Sequence, residues 1–406
     1  MKILHVMDHS LPRTDGYTIR AKYMLEAQVG AGHEVTVLTS PSQGGNASDA
    51  SINGVHYCRS QYNKYEKFDV ARGAKQLVFG SAIAHAMKNL MAHEQFDLIH
   101  AHTPFTIARV ALTEARKHKL PFVYEKRNLW EESARARGKT SGKWPFYQIA
   151  RAMDRWVSVR ADAICTITQA LRANTIALGA AADRVFVVGN GVDVDAFKPQ
   201  AASSEISEIR ARCAGNIENA FVIGFIGSFF LFEGLPLLIE AFAELSPKYP
   251  CARLVLVGDG EDRQQVDQLI AKLALSDRAW VVGSVPHTTV LDYYAAMDAL
   301  VYPRYPSMLT NMISPLKPLE PMAMARCVIG SNVGGIAELI NNGETGLLFE
   351  AGSRSALIEV LEKLLCGKID AAQLGARARA HVVANRQWRN MSATYEPAYA
   401  RAHNRQ

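Results

Sequence analysis

Apolar and polar positions along this chain alternate between two rhythms. Short, nearly continuous apolar runs read as strands: KILHVMD, HEVTVLTS, FDLIHAH, PFVYEKR, ADAICTIT and RVFVVGN, with Val55–Cys58 as a weaker one. Between them, YTIRAKYMLEAQVGAG and IARVALTEARKH repeat their apolar residues at helical spacing. This pattern predicts a mostly parallel sheet covered on both faces. After Asp195 the rhythm stops at FKPQAASSEISE, whose proline and serines read as a linker. It restarts with the strands FVIGFIG, RLVLVGDG, AWVVGSV, ALVYPR and CVIGSN. The helices LPLLIEAFAEL, EDRQQVDQLIAKLAL and TVLDYYAAM lie between them, and GGIAELI opens another.

The expected fold is therefore α/β, with two tandem Rossmann-like doubly wound domains, 1–195 and 196–383, facing a central cleft. Ligands of such sheets sit beyond the carboxyl ends of the strands. Trp388, Tyr395 and Tyr399 recur at helical spacing, so 384–406 is expected to be a terminal helix packing across the domains.

A length of 406 residues suits two domains, and a hydrophobic fraction of 49% suits a real core. No apolar window is long enough to span a membrane. MKILHVMD is too short and too soon charged for a secretory signal, and reads as a first strand. The cysteines at 58, 165, 213, 251, 327 and 366 form no C-x-x-C pair, which points to a reduced, cytoplasmic chain. No H-E-x-x-H or Cys/His cluster marks a metal site, so none is expected. The net charge of +6 fits an anionic ligand or an anionic membrane surface, and chooses neither.

Residues 129–161 change that picture. Arg135, Arg137, Lys139, Lys143, Arg151, Arg155 and Arg160 interleave there with Trp144, Phe146, Tyr147 and Trp156. A basic amphipathic stretch can lie on an anionic inner membrane face. The plain alternative is a solvated helix packed on its domain. No nucleic-acid recognition motif accompanies it.

Candidate chemistry collects at strand ends. Gly224, Gly227, Gly258, Gly260, Gly283, Gly330, Gly334 and Gly335 are expected at strand-to-helix turns, where glycine lets a ligand approach the backbone. No G-x-x-x-x-G-K-[ST] occurs. The stretch SPLKPLEPMAMARCVIG tolerates Pro318 and Pro321 only near a helix start, so a helix is expected from about Lys317. Lys317 and Glu320 then share a face at its positive end. Lys317 can meet a phosphate, and Glu320 two vicinal hydroxyls. Equally, Glu320 can cap its own helix with Lys317 paired to it. In FDLIHAH, Asp97, His100 and His102 alternate, which puts the two histidines on one face and His102 at a strand end. A structural role for His102 stands beside a functional one. Glu125 to Arg127 end another strand, where buried charge needs partners or a ligand. Gly16, just before the first helix, can touch substrate.

In this order the motifs resemble family 4 glycosyltransferases of the GT-B fold over nearly the whole chain. The resemblance rests on the glycine loop and helix ending in G-H-E-V, on DLIHAH, NGVDVDAF and LVLVGDGED, and on LEPMA with VGGIAELI. VYEKRNLWEES with SPLKPLEPMA resembles the subgroup associated with exosortase-linked exopolysaccharide loci. The resemblance implies retaining transfer from a nucleotide sugar, of UDP or GDP type, without a cofactor or catalytic metal. It places Glu320 on the donor ribose, Leu316 and Lys317 on the diphosphate, and His102 beside the transferred sugar. Ser284 and Val285 would border the base, and Gly16 would face the acceptor and phosphate region. Gly227 and Gly258 belong to the donor side.

Three positions depart from the family pattern. Met312 stands where an E-x7-E pair has its first glutamate. Ser228 and Glu233 stand where an arginine and a lysine commonly neutralise the diphosphate. Arg304 and Lys317, with Arg127 from the first domain, are the available substitutes. The leading expectation is thus a hexosyltransferase acting on a saccharide or polyprenyl-linked saccharide acceptor. A nucleotide-sugar epimerase of the same fold, or a binding subunit without activity, remain the alternatives.

Overall fold

The computed structural model describes residues 1–13, 15–43, 49–60, 72–138, 145–201, 203–215, 217–286 and 288–404. Two compact units result: Met1–Asn190 with Trp388–Gln406, and Gly191–Gln387.

The first unit is built on eight strands. They are β1 (Lys2–Met7), β2 (Glu34–Thr39), β3 (Ala50–Ile52), β4 (Val55–Arg59), β5 (Leu98–His102), β6 (Phe122–Lys126), β7 (Ala163–Thr166) and β8 (Val185–Val187). Their order is β3-β4-β2-β1-β5-β6-β7-β8, parallel except for the β3–β4 pair. β1 to β4 build outward in one direction and β5 to β8 in the other, so the chain reverses between β1 and β5. Ile3, Leu4, Val6, Ile99, Val123 and Ile164 are fully buried, as continuous apolar strands between helices require.

The second unit has β9 (Phe221–Ile226), β10 (Ala252–Val257), β11 (Ala279–Gly283), β12 (Ala299–Tyr302), β13 (Cys327–Ser331) and β14 (Leu347–Phe349). All its pairs are parallel, in the order β11-β10-β9-β12-β13-β14. Counted within the unit this is 3-2-1-4-5-6, the doubly wound order whose reversal, here between β9 and β12, opens a ligand crevice. Both units are Rossmann-like.

Several elements differ from expectation. The helix Ser204–Ala214 begins inside the expected linker. Ser203 caps it, and Arg210 ties it to Asp298, so a polar composition hid a capped helix. Beyond Leu365 the chain forms three helices, Ala371–Asn385, Trp388–Ala393 and Glu396–His403, and the last two belong to the first unit. Gly224 and Gly330 lie within strands rather than at turns. A side chain there would collide with Met297 and Ile336. A Cβ on Gly234, Gly258, Gly260, Gly334 or Gly335 would strike a backbone oxygen of this same unit within 2.4 Å. Close packing of the fold by itself requires glycine at these positions.

Candidate active site

The carboxyl ends of β9 and β12 gather the charged residues of the second unit. β9 runs out at Gly227 and Ser228, and a short turn, Leu231–Glu233, follows. Arg304 lies two residues beyond β12. Glu233 is 2% exposed, yet it is ionised, because it accepts from both cations. Arg304 donates through Nε and Nη2 to its two oxygens at 3.1 and 2.9 Å, and Lys317 Nζ donates to Oε1 at 2.9 Å. Burial opposes that ionisation, but Arg304 and then Lys317 outweigh it and hold the carboxyl at about 2. Lys317 shows the uneven side of the pair. Burial draws its ammonium below the ordinary lysine range, although Glu233 pulls the other way.

Lys317 also explains Gly227. A Cβ there would lie 2.5 Å from Lys317 Nζ, so only glycine leaves the ammonium its place over the strand end. The aliphatic stem of Lys317 reaches it across the Phe225 ring, 5.3 Å from Nζ. The two positions that carry Ser228 and Glu233 lack cations of their own. The positive charge comes instead from β12 and from the SPLKPLE segment, gathered on a buried carboxylate.

The helix expected from Lys317 runs only from Leu319 to Ala323, with Pro318 as its cap residue. Five residues make a weak end dipole, so the charge at this site is that of the Lys317 side chain. Neither half of the Lys317–Glu320 pairing forms. Tyr302 Oη donates to the Lys317 carbonyl at 3.0 Å, and Tyr294 Oη donates to Glu320 Oε2 at 2.6 Å. Burial raises the Glu320 carboxyl above its usual value, and the Tyr294 bond offsets this in part. Glu320 Oε1 thus remains for a further donor. Leu316 and Val285 are half-buried, Gly258 abuts Gly227, and Ser228 and Ser284 are exposed. Met312 is half-buried at the end of the short helix Met308–Met312.

In the first unit, the strand ends at the β1/β5 reversal hold a buried polar cluster. His100 and His102 stack 4.7 Å apart on one face of β5, as the strand period requires. His102 is 3% exposed. Its Nε2 lies 2.9 Å from His5 Nδ1 and its Nδ1 3.2 Å from Glu125 Oε2. Glu125 also meets Arg20 at 2.9 Å, His100 at 3.3 Å and Tyr395 at 2.7 Å, and Tyr399 bonds His100 and Gln28. Arg20 in turn is fixed by Asn190 of the NGVD motif. Burial opposes ionisation of Glu125, but Arg20 and the neighbouring histidines and Arg127 overcome it. Burial keeps His5, His100 and His102 below the usual imidazole range, with Arg127 adding to it. The three imidazoles are close enough to be considered as a metal donor set. Two guanidiniums beside them, and a Glu125 already shared four ways, disfavour another cation there.

Gly16 opens the first helix, Gly16–Gly30, with open space around its Cα, and Asp15 caps that helix. His9 bridges Asp15 and Asp8 at 2.7 and 2.9 Å. Arg127 is buried with its guanidinium 4.0 Å over the Tyr17 ring. Nη1 reaches the Tyr17 carbonyl, while Nε and Nη2 have no acceptor. Beside this loop a cavity of about 230 Å3 is lined by Asp8, Ser40, Ser42, Pro104, Ile107 and Trp130 among others.

Of the residues that sequence reasoning named, Arg127 and Arg304 lie just beyond strands β6 and β12, Lys317 reaches Gly227 at the end of β9 from the segment before a short helix, and Glu320 lies in that helix. Sequence reasoning missed the hydroxyl partners, Tyr294 on Glu320, Tyr302 on the Lys317 carbonyl, Tyr395 on Glu125 and Tyr399 on His100, and it missed Asp8, His9 and Asp15. It saw Glu233 only as a lost lysine.

Residues 14–196 match the model for Glycosyltransferase Family 4, and residues 207–381 match that for Glycosyl transferases group 1. The chain belongs to the GT-B glycosyltransferases of the family 4 type. It is 28% identical to the 2-deoxystreptamine glucosyltransferase of Streptomyces kanamyceticus over 54% of its length, and spans about half, 55%, of that relative. Its fold matches the sucrose-phosphate synthase of Thermosynechococcus elongatus with a TM-score of 0.78 at 19% identity, over 97% of both chains. It matches Anabaena HepE, solved in complex with UDP-glucose, with a TM-score of 0.72 at 19% identity, again over 97% of both chains. In this family 4 glycosyltransferase the second unit corresponds to the group 1 match.

Proposed function

We propose that the chain transfers a hexose from a nucleoside diphosphate sugar to a saccharide or lipid-linked saccharide acceptor, with retention at the anomeric carbon and without a catalytic metal. The observation that carries this reading is the buried Arg304–Glu233–Lys317 cluster at the strand-order reversal of the second unit, with Glu320 beside it. Arg304 and Lys317 stabilise the leaving diphosphate as negative charge develops on it. Glu320, held by Tyr294, accepts the two ribose hydroxyls through its remaining lone pairs. Ser284 and Val285 flank the base, with Leu316, Gly227, Ser228 and Gly258 around the diphosphate. A glucosyltransferase among the relatives and a UDP-glucose complex of a fold neighbour support a nucleotide sugar as donor. An exopolysaccharide product fits the sequence pattern of the SPLKPLEPMA segment.

In the first unit, Gly16, Arg127 and the cavity by Asp8 and Trp130 take the acceptor side. Arg127, buried with two unpaired donors, is suited to an anionic group there. His102, whose Nε2 meets His5 while its buried Nδ1 makes no hydrogen bond, stands at a strand end beside the transferred sugar in this reading.

The test is thermal stabilisation of the full chain by UDP, GDP, ADP, dTDP and CMP, each with and without EDTA. A nucleotide at 100 times its Kd should add roughly 2.7 kcal/mol. One strongly stabilising diphosphate, unaffected by EDTA, is the expected result. Stabilisation by none of them removes the donor site. Product analysis with the matching nucleotide sugar then separates transfer from epimerisation, which would need no acceptor.

A further inference from the structure

The helices Phe105–Lys117 and Pro145–Arg160 pack side by side on the first unit and sort their charges by face. Their two acidic residues, Glu114 and Asp154, are both buried. Asp154 is held inside by Tyr124 and Lys126. Their six basic residues are Arg109, Arg116, Lys117, Arg151, Arg155 and Arg160, none of them buried. Arg116 is tied to Asp162 and Lys117 to Glu114. Arg109, Arg151, Arg155 and Arg160 form no ion pair among the described residues. A helix pair that turns every acid inward and every base outward is more one-sided than solubility requires.

The same face exposes large apolar side chains. Ile149 is 58% exposed and Trp156 36% exposed. With Gln148, Ala152, Arg155 and Arg160 they form one exposed stripe along the helix, at helical spacing. The Arg160 guanidinium lies 4.6 Å over the Trp156 ring, so a cation and an aromatic edge are presented together. An open groove of about 650 Å3 runs between the two helices. Leu112 and Trp156 line it with Thr113, Arg116, Lys117 and Arg160. Lys139, Lys143 and Trp144 of the basic aromatic segment lie outside the described residues.

We infer that this face docks the protein on an anionic lipid bilayer. Trp156 and Ile149 enter the headgroup boundary, and the arginines meet lipid phosphates. The occupant is a bilayer rather than an acidic protein because basic and apolar exposure share one stripe running along the length of a helix. That is the geometry of an interfacial helix. No helix among the described residues is long and apolar enough to cross a membrane, so contact would be at the surface. The stripe is remote in sequence from Glu233, Arg304, Lys317 and Glu320, and none of its residues contributes to the donor cluster.

The experiment is sedimentation of the full chain with vesicles of phosphatidylcholine alone, and with vesicles of equal parts phosphatidylcholine and phosphatidylglycerol. Partition into the anionic vesicles only, falling as salt is raised, is expected. Each basic side chain at such a surface is worth about fivefold in partition. Reversing two, in Arg155→Glu with Arg160→Glu, should therefore lower it by well over tenfold. Ile149→Ser with Trp156→Ala should lower it about tenfold or more at unchanged melting temperature and nucleotide binding. Equal binding to neutral vesicles, no binding to either, or wild-type binding by both double variants would overturn the proposal.

Discussion

Lys317 Nζ lies 2.9 Å from Glu233 Oε1, in the space that Gly227 leaves free over the end of β9. A glutamate thus stands where the family pattern carries a lysine, and a lysine from another segment reaches it. The pair reads as a relocation of charge: the ammonium comes from the SPLKPLE segment and the loop supplies its anchor. Arg304 completes the arrangement by gripping both oxygens of the same carboxylate.

Glu233→Gln tests that anchor. It leaves the buried Arg304 and the part-exposed Lys317 facing each other with no countercharge. Breaking a buried pair in this way costs about 3 kcal/mol or more. The melting temperature should fall, and nucleotide affinity should fall with it, because neither cation is held. Glu233→Lys should not restore the family arrangement, since three cations would then crowd one buried point. Calorimetric unfolding together with nucleotide titration checks both variants. Wild-type affinity in Glu233→Gln would mean that Arg304 and Lys317 hold their places unaided.

Lys317 gives the alkaline side of the pH dependence. Burial lowers its pKa from the ordinary value, so it loses its proton at a lower pH than an exposed lysine does. Diphosphate binding needs the charged form and should decline as pH rises toward that lowered value. Lys317→Arg keeps a cation with a far higher pKa and should push the decline upward. Lys317→Ala should cost at least roughly tenfold in turnover at neutral pH. Nucleotide titration across pH, with the three forms in parallel, reads the shift. Coincident curves for the lysine and arginine forms would remove Lys317 from the diphosphate.

Much of this architecture was legible in the chain, and the reasons it was only partly so are physical. Short apolar runs rich in Val, Ile and Leu and bounded by turn residues, such as FVIGFI and RLVLV, read as buried strands, so the two doubly wound sheets could be read directly. Ser204–Ala214 could not, because its apolar stripe is thin, little more than Ile209 and Cys213, and its start is set by a serine cap and its tether by the Arg210–Asp298 pair. The charged residues at the site were visible as types but not as partners. Glu233 and Lys317 are far apart in sequence, and nothing in their spacing shows that they meet. Tyr395 and Glu125 are further apart still. Tyrosines read as packing until the fold turns their hydroxyls onto a carboxylate. A glycine pressed by a backbone oxygen, as Gly258 is by that of Gly227, leaves the same trace in sequence as one that a ligand approaches, so sequence could not separate the two.

The buried histidines set the acid limit of the first unit. His5, His100 and His102 have folded pKa values below the ordinary imidazole value, chiefly through burial. Folding therefore favours their neutral forms. Their contribution is fully present above about pH 6.5 and is lost as pH falls below it. His5→Phe should flatten that dependence, since His5 packs its ring against His100 and His102 and carries an unpaired Nε2. Melting temperature against pH, from 5 to about 8, measures the slope. An unchanged slope in the variant would place the acid sensitivity elsewhere in the fold.

Glu320 supplies the sharpest test of what the second unit holds. One oxygen of its carboxylate is occupied by Tyr294, and in the function proposed above the carboxylate holds the two hydroxyls of the donor ribose. A charge-assisted hydrogen bond of this kind contributes about 1.5–3 kcal/mol. Glu320→Gln should therefore weaken the matching ribonucleotide diphosphate by roughly tenfold or more. The 2′-deoxy form should already bind weakly to the wild type and lose little further in the variant, because the group that Glu320 would hold is missing. A double-mutant cycle with nucleotide as one partner isolates that contact from any general loosening of the site. The pH dependence carries its own signature. Because burial raises the Glu320 carboxyl above 4.5, ribose binding should fade on the acid side before an ordinary glutamate would protonate. In Glu320→Gln that acid limb should vanish. Equal losses for ribo- and deoxyribonucleotide would instead assign Glu320 to holding Tyr294 and the short helix in place.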